Sequence, residues 1–436
     1  MPSVIVAGGG LAGLSAAAAL GSAGFAVEVF EARPFPGGRA TSFPLSPADP
    51  DSRTIDNCQH ILLRCCVNLL DFYERMGVRD RIRFFREFYF LEPGGRLSVF
   101  KRGLLPAPLH FTGAFLGLQC LNAADKLAIA RGLMALRREH GRRGDLERIS
   151  MLDWLHEKRQ TERAIERFWA QVLVSAVNER LDRMAAIHGF QVFRLGFLDR
   201  ADSYEMGVPA APLGELYGAA AWTRWASVRL RLRSPVEEIG PEGVRTGGER
   251  RRADYYICAL PPDRIGRVAP ALGVDASWVE YSPITGIHLW FDRAVTELPH
   301  ATLLDRTIQW MFNKGGGRYL QLVVSASRSL ADKTRPEIIE LARRELAEFF
   351  PKAREARLTE AHVIKEMRAT FSAAPGTEAR RPGTQTALDN VFLAGDWTRS
   401  GWPATMEGAV RSGYRAAEAV CRAAGVPRRF LLADPG

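Results

Sequence analysis

Three glycines near the start of the chain, Gly8, Gly10 and Gly13, have the spacing that binds a pyrophosphate group. In such a turn the first glycine allows a sharp bend, the second lets the ligand approach the backbone, and the third lets a helix pack closely on a strand. Glu31 follows about twenty residues later, where a carboxylate can accept hydrogen bonds from a ribose diol. Together these residues predict a dinucleotide site.

The elements that must position these residues are also visible in the sequence. The apolar run at 4–7 predicts a strand, the spacing of apolar residues at 11–20 predicts a helix, and the run at 27–30 predicts a second strand. A second glycine turn, 37–38, is followed by Arg39, whose guanidinium can bind phosphate oxygens. The combination favours a nucleotide-binding fold over a turn that serves only packing.

This amino-terminal pattern resembles the FAD-binding signature of the amine oxidase and phytoene desaturase superfamily, and the resemblance implies FAD as the cofactor. It also implies an α/β fold, in which a Rossmann-type, glutathione-reductase-like FAD-binding domain is interleaved with an α+β substrate domain. We expect the FAD-binding domain at 1–64, 191–275 and 384–436, and the substrate domain at 65–190 and 276–383.

A second informative stretch lies near the end of the chain. A buried strand that ends in Gly395 and Asp396 places a carboxylate at the edge of the sheet, where it can bind the cofactor. The N–H groups of a helix that begins near Thr405 and Met406 would favour negative charge on the reduced flavin. The resemblance implies cofactor contacts from both ends of the chain and from its middle: Gly8, Gly10, Leu11, Ala12, Gly13, Glu31, Ala32, Gly38, Arg39, Val236, Gly395, Asp396, Thr405 and Met406.

Candidates for catalysis follow the second glycine turn. In the superfamily this part of the chain returns toward the flavin, so the resemblance makes His60 and Asp56 candidates. An imidazole titrates near neutral pH, and a carboxylate can orient it; a role for His60 as a helix cap or surface residue is equally open. Glu407 is a weaker candidate, because an acidic residue in a first helical turn commonly serves the helix dipole. We expect Lys365 to form a salt bridge rather than to face the flavin as a lysine does in amine oxidases.

Three stretches, at 56–60, 207–209 and 394–413, resemble a narrower family, the squalene-associated FAD-dependent desaturases, which are hydroxysqualene dehydroxylases. The similarity extends over essentially the whole chain. It implies that reduced FAD delivers a hydride to hydroxysqualene, replacing an allylic hydroxyl and releasing water, in squalene and hopanoid synthesis. It further implies that Asn57, Gln59 and Trp402 contact the substrate. Cys58 stands where the family has glycine, a departure that concerns the geometry beside the flavin and not the fold.

Other functions remain open at this point. A carotenoid-type desaturase or isomerase, similar to phytoene desaturase, would transfer the hydride in the opposite direction. A flavin amine oxidase would need an aromatic cage and a lysine that the sequence does not place. A non-enzymatic flavoprotein or lipid carrier is a further alternative. The donor that would reduce the FAD is not identified by any motif.

Composition adds expectations about partners and location. The 436 residues carry a net charge of +10, but no nucleic-acid recognition motif accompanies it. The apolar segment 104–118 is broken by proline and glycine and flanked by basic residues, which is typical of contact with an anionic membrane, although a loop packed under its own domain fits as well. Without a signal peptide or a spanning segment we expect a cytoplasmic protein, in which case the membrane contact would be at the inner face. The six cysteines lack metal-site spacing, so no metal is expected and the thiols are expected to be reduced.

Overall fold

The computed structural model describes residues 1–46, 48–49 and 52–435. In chain order the strands are β1 (Ser3–Ala7), β2 (Ala26–Phe30), β3 (Ser42–Pro44), β4 (Thr54–Asp56), β5 (Leu62–Leu63), β6 (Ile82–Phe85), β7 (Glu87–Leu91), β8 (Leu97–Lys101), β9 (Met206–Pro209), β10 (Val228–Arg231), β11 (Val236–Gly240), β12 (Gly243–Thr246), β13 (Glu249–Arg251), β14 (Tyr255–Cys258), β15 (Tyr281–Phe291), β16 (His300–Leu303), β17 (Trp310–Gly315), β18 (Tyr319–Ser325), β19 (Leu358–Phe371) and β20 (Val391–Leu393).

The α-helices are α1 (Leu11–Ser22), α2 (Val67–Met76), α3 (Thr112–Gly117), α4 (Ala123–Glu139), α5 (Met151–Glu157), α6 (Glu162–Ala164), α7 (Ala170–Val177), α8 (Ala186–Phe193), α9 (Leu213–Tyr217), α10 (Pro262–Val268), α11 (Arg335–Phe349), α12 (Lys352–Glu355), α13 (Thr377–Arg380) and α14 (Met406–Ala423). Two π-helical turns, Ile165–Trp169 and Arg194–Leu198, interrupt the helical region between α6 and the loop after α8.

Five parallel strands, in the order β10-β2-β1-β14-β20, form the first sheet. Their apolar side chains are buried on both faces, as expected when helices cover a parallel sheet. Helices α1 and α14 pack against each other on this sheet. At their contact a Cβ on Gly413 would lie 2.2 Å from the carbonyl oxygen of Ala12, so only glycine allows this approach. The predicted α/β nucleotide-binding architecture is confirmed.

A mixed seven-stranded sheet, in the order β19-β15-β18-β17-β16-β7-β8, forms the second layer. All its pairs are antiparallel except β16 with β7. Helix α11 covers one face through Ile338, Ala342 and Leu346. The other face meets the helical region that contains α4 to α8. The second sheet therefore stands between a supporting helix and a largely helical layer.

The structure corrects one prediction next to the candidate catalytic residues. The spacing of the leucines after His60 favours a helix from about residue 61, but Leu62 and Leu63 form β5 and pair with Gly207 and Met206. The helix α2 begins only at Val67. Pairing with a distant strand has overridden the local helical periodicity. His60 consequently lies in an extended loop and does not cap a helix.

Two expectations concern the membrane and the thiols. No helix in the described ranges is long and apolar enough to cross a bilayer. All six cysteines are free, as predicted. Within the part of the chain that the structure describes, no group of three or more His, Cys, Asp or Glu side chains could hold a metal ion.

Candidate active site

The glycine turn leaves backbone N–H groups free at the start of α1. Gly10 precedes the helix, and among the described residues no side chain caps it and no acidic residue lies in its first turn. Uncapped N–H groups at a helix start, together with the helix dipole, attract an anion. A Cβ on Gly13 would lie 2.0 Å from the carbonyl oxygen of Gly8, so the turn has no room for a larger residue. This geometry fits a pyrophosphate.

Glu31 lies beside this turn at the end of β2. Its carboxylate accepts hydrogen bonds from the backbone N–H groups of Gly9 and Arg33, each 2.8 Å long. A carboxylate has about four acceptor positions, so two remain for a ribose diol. The N–H of Ser234 donates to the carbonyl oxygen of Glu31, which brings the segment leading to Val236 alongside the expected adenosine position. The adenosine contacts predicted at Glu31 and Val236 are thus neighbours.

Arg39 and Asp396 form an ion pair across the carboxyl edge of the parallel sheet. Asp396 follows β20, and Arg39 follows the second glycine turn, which the Gly37 N–H ties to the Gly9 carbonyl oxygen at 2.7 Å. Arg39 also donates to the carbonyl oxygen of Ala369 in β19. The uncapped helix, the ribose-binding carboxylate and this ion pair line one edge of the sheet, where the residues fit FAD.

Two buried arginines, Arg381 and Arg411, hold the loop between β20 and α14. Arg381 donates to the carbonyl oxygens of Asp396 and Thr398 and to the Ser400 hydroxyl. The Nε of Arg411 donates to the Ser400 carbonyl oxygen, and its Nη1 pairs with Asp434 at 2.8 Å. Sequence analysis missed both arginines. Arg381 lies outside the stretch 394–413, and Arg411 lies within it, but the contacts of both with the loop are visible only in the structure.

Asp56 and His60 lie together between the two sheets. The Asp56 carboxylate accepts hydrogen bonds from the Ser42 hydroxyl and from the backbone N–H of Leu213. The His60 Nδ1 lies 3.0 Å from the carbonyl oxygen of Cys58. Burial lowers the pKa of His60, and the Asp56 carboxylate opposes this shift. The imidazole is therefore neutral near pH 7, so it is better suited to accept a proton than to donate one.

Lys314, on β17, is a basic residue of this group that sequence analysis missed. Its ammonium donates to the Gln59 Oε1 at 3.0 Å and lies 3.9 Å from the Asp56 carboxylate. Burial lowers the pKa of Lys314, and Asp56 opposes this shift. A lysine with a lowered pKa gives up its proton more readily than an exposed one. Lys365, for which a salt bridge was expected, donates instead to the carbonyl oxygens of Ala331 and Lys333, and it forms no ion pair with a carboxylate among the described residues.

Two of the predicted substrate residues, Asn57 and Gln59, form hydrogen bonds within the protein. The Asn57 amide donates to the Arg39 carbonyl oxygen and accepts from the Thr41 N–H. The Gln59 amide binds Lys314 and the His60 carbonyl oxygen. Through these hydrogen bonds to other residues of the protein, both side chains stabilise the loop beside the expected flavin position.

Glu407 connects α14 to α2. Its carboxylate accepts hydrogen bonds from the Leu69 N–H at 2.7 Å and from the Asn68 side chain at 2.8 Å. Burial raises the pKa of Glu407, and these donors and Arg411 oppose the shift. A carboxylate at the amino-terminal end of a helix satisfies N–H groups that have no partner within that helix. Glu407 is accordingly a cap for α2.

An apolar cavity of about 580 Å³ adjoins this region. Its wall includes Thr405, Met406 and Glu407 at the start of α14 and, elsewhere, Leu109 and Met134 on the protein surface. Aromatic rings dominate the lining: Phe88, Phe90, Phe100, Phe111, Phe115, Phe168, Phe193, Phe197, Trp310 and Trp402. Both π-helical turns contribute to it, a kind of helix distortion frequent at functional sites. The hairpin of β7 and β8 supplies three of these rings.

Trp402 is the predicted substrate residue that lies on the cavity wall. It packs with Cys65 and Leu195, and its indole N–H donates to Asp434 at 3.1 Å. Ile61 also lines the cavity, directly after His60 in the chain. The cavity thus approaches the candidate catalytic loop from one side and the start of α14 from another.

Comparison with known proteins places this geometry in context. The family model described as flavin containing amine oxidoreductase matches residues 11–421. The chain is 26% identical to a zeta-carotene desaturase of Synechocystis sp., with 96% of each chain covered. It is 24% identical to a 15-cis-phytoene desaturase of Synechococcus elongatus, over 96% of this chain and 95% of that protein. A solved oxidoreductase from Methanosarcina mazei shares the fold, with a TM-score of 0.71, 18% identity, and 94% and 98% of the two chains covered.

Proposed function

Because the chain belongs to the family of flavin-containing amine oxidoreductases, and FAD is therefore its cofactor, we propose that it oxidises or reduces a linear isoprenoid lipid at an allylic carbon. Bound FAD supplies the acceptor or donor of a hydride. The observation that carries the proposal is the apolar, aromatic-lined cavity that extends from surface leucines to the start of α14. Such a lining suits a long hydrocarbon chain and excludes water from it.

The lining argues against an amine as substrate. Among the described residues on the wall, Glu407 is the only carboxylate, and its oxygens already accept hydrogen bonds from Asn68 and Leu69. A cationic amine would thus be desolvated without an available counter-ion, which is costly. Aromatic faces, by contrast, can stabilise the partial positive charge that develops on an allylic carbon.

Desaturation of a carotenoid precursor is the first candidate reaction, and the two desaturase relatives support it. In that direction the lipid loses a hydride and a proton. His60 has the properties of the acceptor for this proton, because burial keeps its imidazole neutral near pH 7. Asp56 would stabilise the imidazolium that forms.

Reduction of hydroxysqualene to squalene is the second candidate, and the resemblance of 56–60, 207–209 and 394–413 to hydroxysqualene dehydroxylases supports it. Here the lipid gains a hydride, its carbon–oxygen bond breaks, and a proton joins the hydroxide that leaves as water. Lys314 would be the source of that proton, because its lowered pKa makes it a better acid than an exposed lysine. It contacts Gln59 within the resembling stretch.

Two anaerobic experiments on the FAD-loaded protein separate these reactions. In one, the oxidised protein receives phytoene or zeta-carotene; in the other, the chemically reduced protein receives hydroxysqualene. Flavin absorbance is followed while the lipid is extracted for mass analysis. Bleaching of the flavin with loss of two hydrogens from the polyene establishes desaturation. Reappearance of the oxidised flavin with an equal amount of squalene establishes dehydroxylation.

The variants His60→Gln and Lys314→Met assign the proton transfer. We expect His60→Gln to slow desaturation more than Lys314→Met, whereas dehydroxylation should show the reverse order. General acid–base catalysis contributes about 10²–10⁴-fold, so the difference is measurable. A folded, FAD-loaded protein that exchanges no electrons with either class of lipid would contradict the proposal.

A further inference from the structure

Exposed apolar side chains cluster around the outer end of the cavity. In the described part of the chain, six of the eleven exposed large apolar side chains lie between residues 104 and 134. We call the set the docking face: Leu104, Leu105, Leu109, Leu116, Leu127 and Met134. Leu104 is fully exposed, and the others expose between 51% and 64% of their surface. Soluble proteins seldom leave so many large apolar groups together in water, so such a patch marks an interaction surface.

The docking face is continuous across two elements. The segment that leads into α3 contributes Leu104 to Leu116, and α4 contributes Leu127 and Met134. The Lys126 ammonium donates to the Leu116 carbonyl oxygen at 2.6 Å, which ties the two elements together. Leu109 and Met134 both line the cavity. The cavity therefore opens between these elements, in the middle of the apolar surface.

The charges around the docking face are mostly basic. Segment 101–138 contains six basic residues and one acidic residue, Asp125, which is buried and caps α4. Arg102, Arg131 and Arg138 are exposed, and no ion pair joins them to another described residue. Arg131 and Arg138 share one face of α4 with Leu127 and Met134, because residues three, four or seven apart lie on the same side of a helix. Apolar and basic groups are thus presented together.

We propose that the docking face binds the surface of an anionic phospholipid bilayer, with the cavity opening into the bilayer. The leucines would enter the acyl region while the arginines contact the headgroups. A second copy of the chain is a poor occupant, because a two-fold symmetric contact would place arginines against arginines. The proposal rests on the proposed function in one respect, namely that the cavity receives a lipid. A lipid that enters the cavity from the bilayer would not have to pass through water.

Vesicle co-sedimentation of the full-length, FAD-loaded protein tests this proposal. The vesicles are phosphatidylcholine alone, or an equal mixture of phosphatidylcholine and phosphatidylglycerol. The apolar variant carries Leu104→Ser, Leu105→Ser, Leu116→Ser and Leu127→Ser. The charge variant carries Arg102→Gln, Arg131→Gln and Arg138→Gln. None of these seven residues lines the cavity.

We expect the wild-type protein to bind the anionic vesicles. The apolar variant should bind at least about tenfold more weakly, since four large apolar side chains would no longer leave water on binding. Each basic residue near an anionic leaflet contributes roughly fivefold, so the charge variant should lose about a hundredfold. A control with Met367→Ser, Arg229→Gln and Arg252→Gln removes exposed groups away from the docking face and should bind as the wild type does.

Other results would overturn the docking proposal. One is a wild-type protein that stays in the supernatant. Another is that the apolar and charge variants bind the vesicles as tightly as the wild type does. The third is that the wild type forms a dimer that dissociates only when the apolar substitutions are made. Turnover of lipid in detergent micelles separates this proposal from the proposed function. Lipid turnover without vesicle binding refutes docking alone, whereas variant-sensitive binding without any turnover supports docking and refutes the proposed function.

Discussion

At one end of the predicted FAD site the backbone of the glycine turn is bare, whereas at the other the loop from Gly395 to Thr405 is held by buried guanidinium groups. The first region depends on the absence of side chains, since a Cβ on Gly13 would meet the Gly8 carbonyl oxygen. The second depends on Arg381 and Arg411, which reach the loop from outside it. An added methyl group should therefore destabilise the first region, and removal of a charge should destabilise the second.

Removing the charge at Arg381 is expected to have the largest effect. The side chain is fully buried, and in Arg381→Met the Glu378 carboxylate loses its partner together with the Asp396 and Ser400 acceptors. Breaking a buried pair in this way costs about 3–5 kcal/mol. Urea unfolding of the apoprotein and FAD binding, followed by flavin fluorescence, measure the two consequences.

Arg381→Lys is the matched variant for that experiment. It keeps a positive charge but cannot reach several acceptors at once, so we expect an intermediate loss of stability. If Arg381→Met unfolds and binds FAD as the wild type does, the loop is not held by this guanidinium.

Adding a methyl group at Gly13 should have the next largest effect. The new Cβ would lie 2.0 Å from the Gly8 carbonyl oxygen, so the helix must move away from the turn. Overpacking of this kind costs about 1–3 kcal/mol, and FAD affinity should fall with it. Gly266→Ala is the control, because a Cβ there meets no atom within 4 Å and lies in α10. Equal melting temperatures and FAD affinities for the two variants would contradict the comparison.

The stability of the region around Arg381 should depend on pH, because the buried His188 lies close enough to feel the charge of that guanidinium. Burial, with a contribution from Arg381, lowers the pKa of His188 to about 3. The imidazole of the unfolded chain has its ordinary pKa of about 6.5 and binds protons more readily. The stability linked to neutral His188 is thus complete above pH 6.5 and is lost as the pH falls toward 3. From pH 7 to 5 the loss is about 2 kcal/mol.

Urea unfolding of His188→Asn at several pH values checks this prediction. The free energy of unfolding should fall less steeply with acid than in the wild type. His156→Asn, at an exposed histidine, controls for the loss of any imidazole. An unchanged slope in His188→Asn would show that acid sensitivity has another origin.

The smallest effect is expected at Lys314, outside both regions. Lys314→Met removes a hydrogen bond to Gln59, worth about 1 kcal/mol, and leaves Asp56 without its nearby ammonium. The ammonium lowers the pKa of His60, so the variant should raise it. An NMR titration of the imidazole, assigned with His60→Gln, measures the change. Lys314→Arg should restore the wild-type titration; identical curves for the wild type and Lys314→Met would disprove the coupling.

The same comparison explains what the sequence could predict of the fold. The glycine turn and its strands are determined within about thirty neighbouring residues, so the pattern identified β1, α1 and β2 correctly. The short strand β5 was missed, because the spacing of Leu62 and Leu63 fits a helix. Only their pairing with Met206 and Gly207 of β9 makes them a strand. Local periodicity cannot report a partner that lies more than a hundred positions away.

The candidate site divides in the same way. Asp396 was found because it ends a buried strand, but Arg381 has no motif of its own and acts through contacts with backbone oxygens. Lys314 meets Gln59 across 255 positions of sequence, and no spacing rule covers that distance. The hydrogen bonds of the Asn57 amide with Arg39 and Thr41 likewise follow from no sequence motif.

The strand order of the parallel sheet also dictates when this protein can fold during its synthesis. β1 lies between β2 and β14, and β20 closes the edge beyond β14, so partners arrive at residues 26, 255 and 391. At roughly 5–20 residues per second, about 20–80 s separate the emergence of the first and last strands from the ribosome. For most of that time the apolar strands at the amino terminus have no complete sheet to join. The five-stranded parallel sheet can therefore be completed only after β20 has left the ribosome.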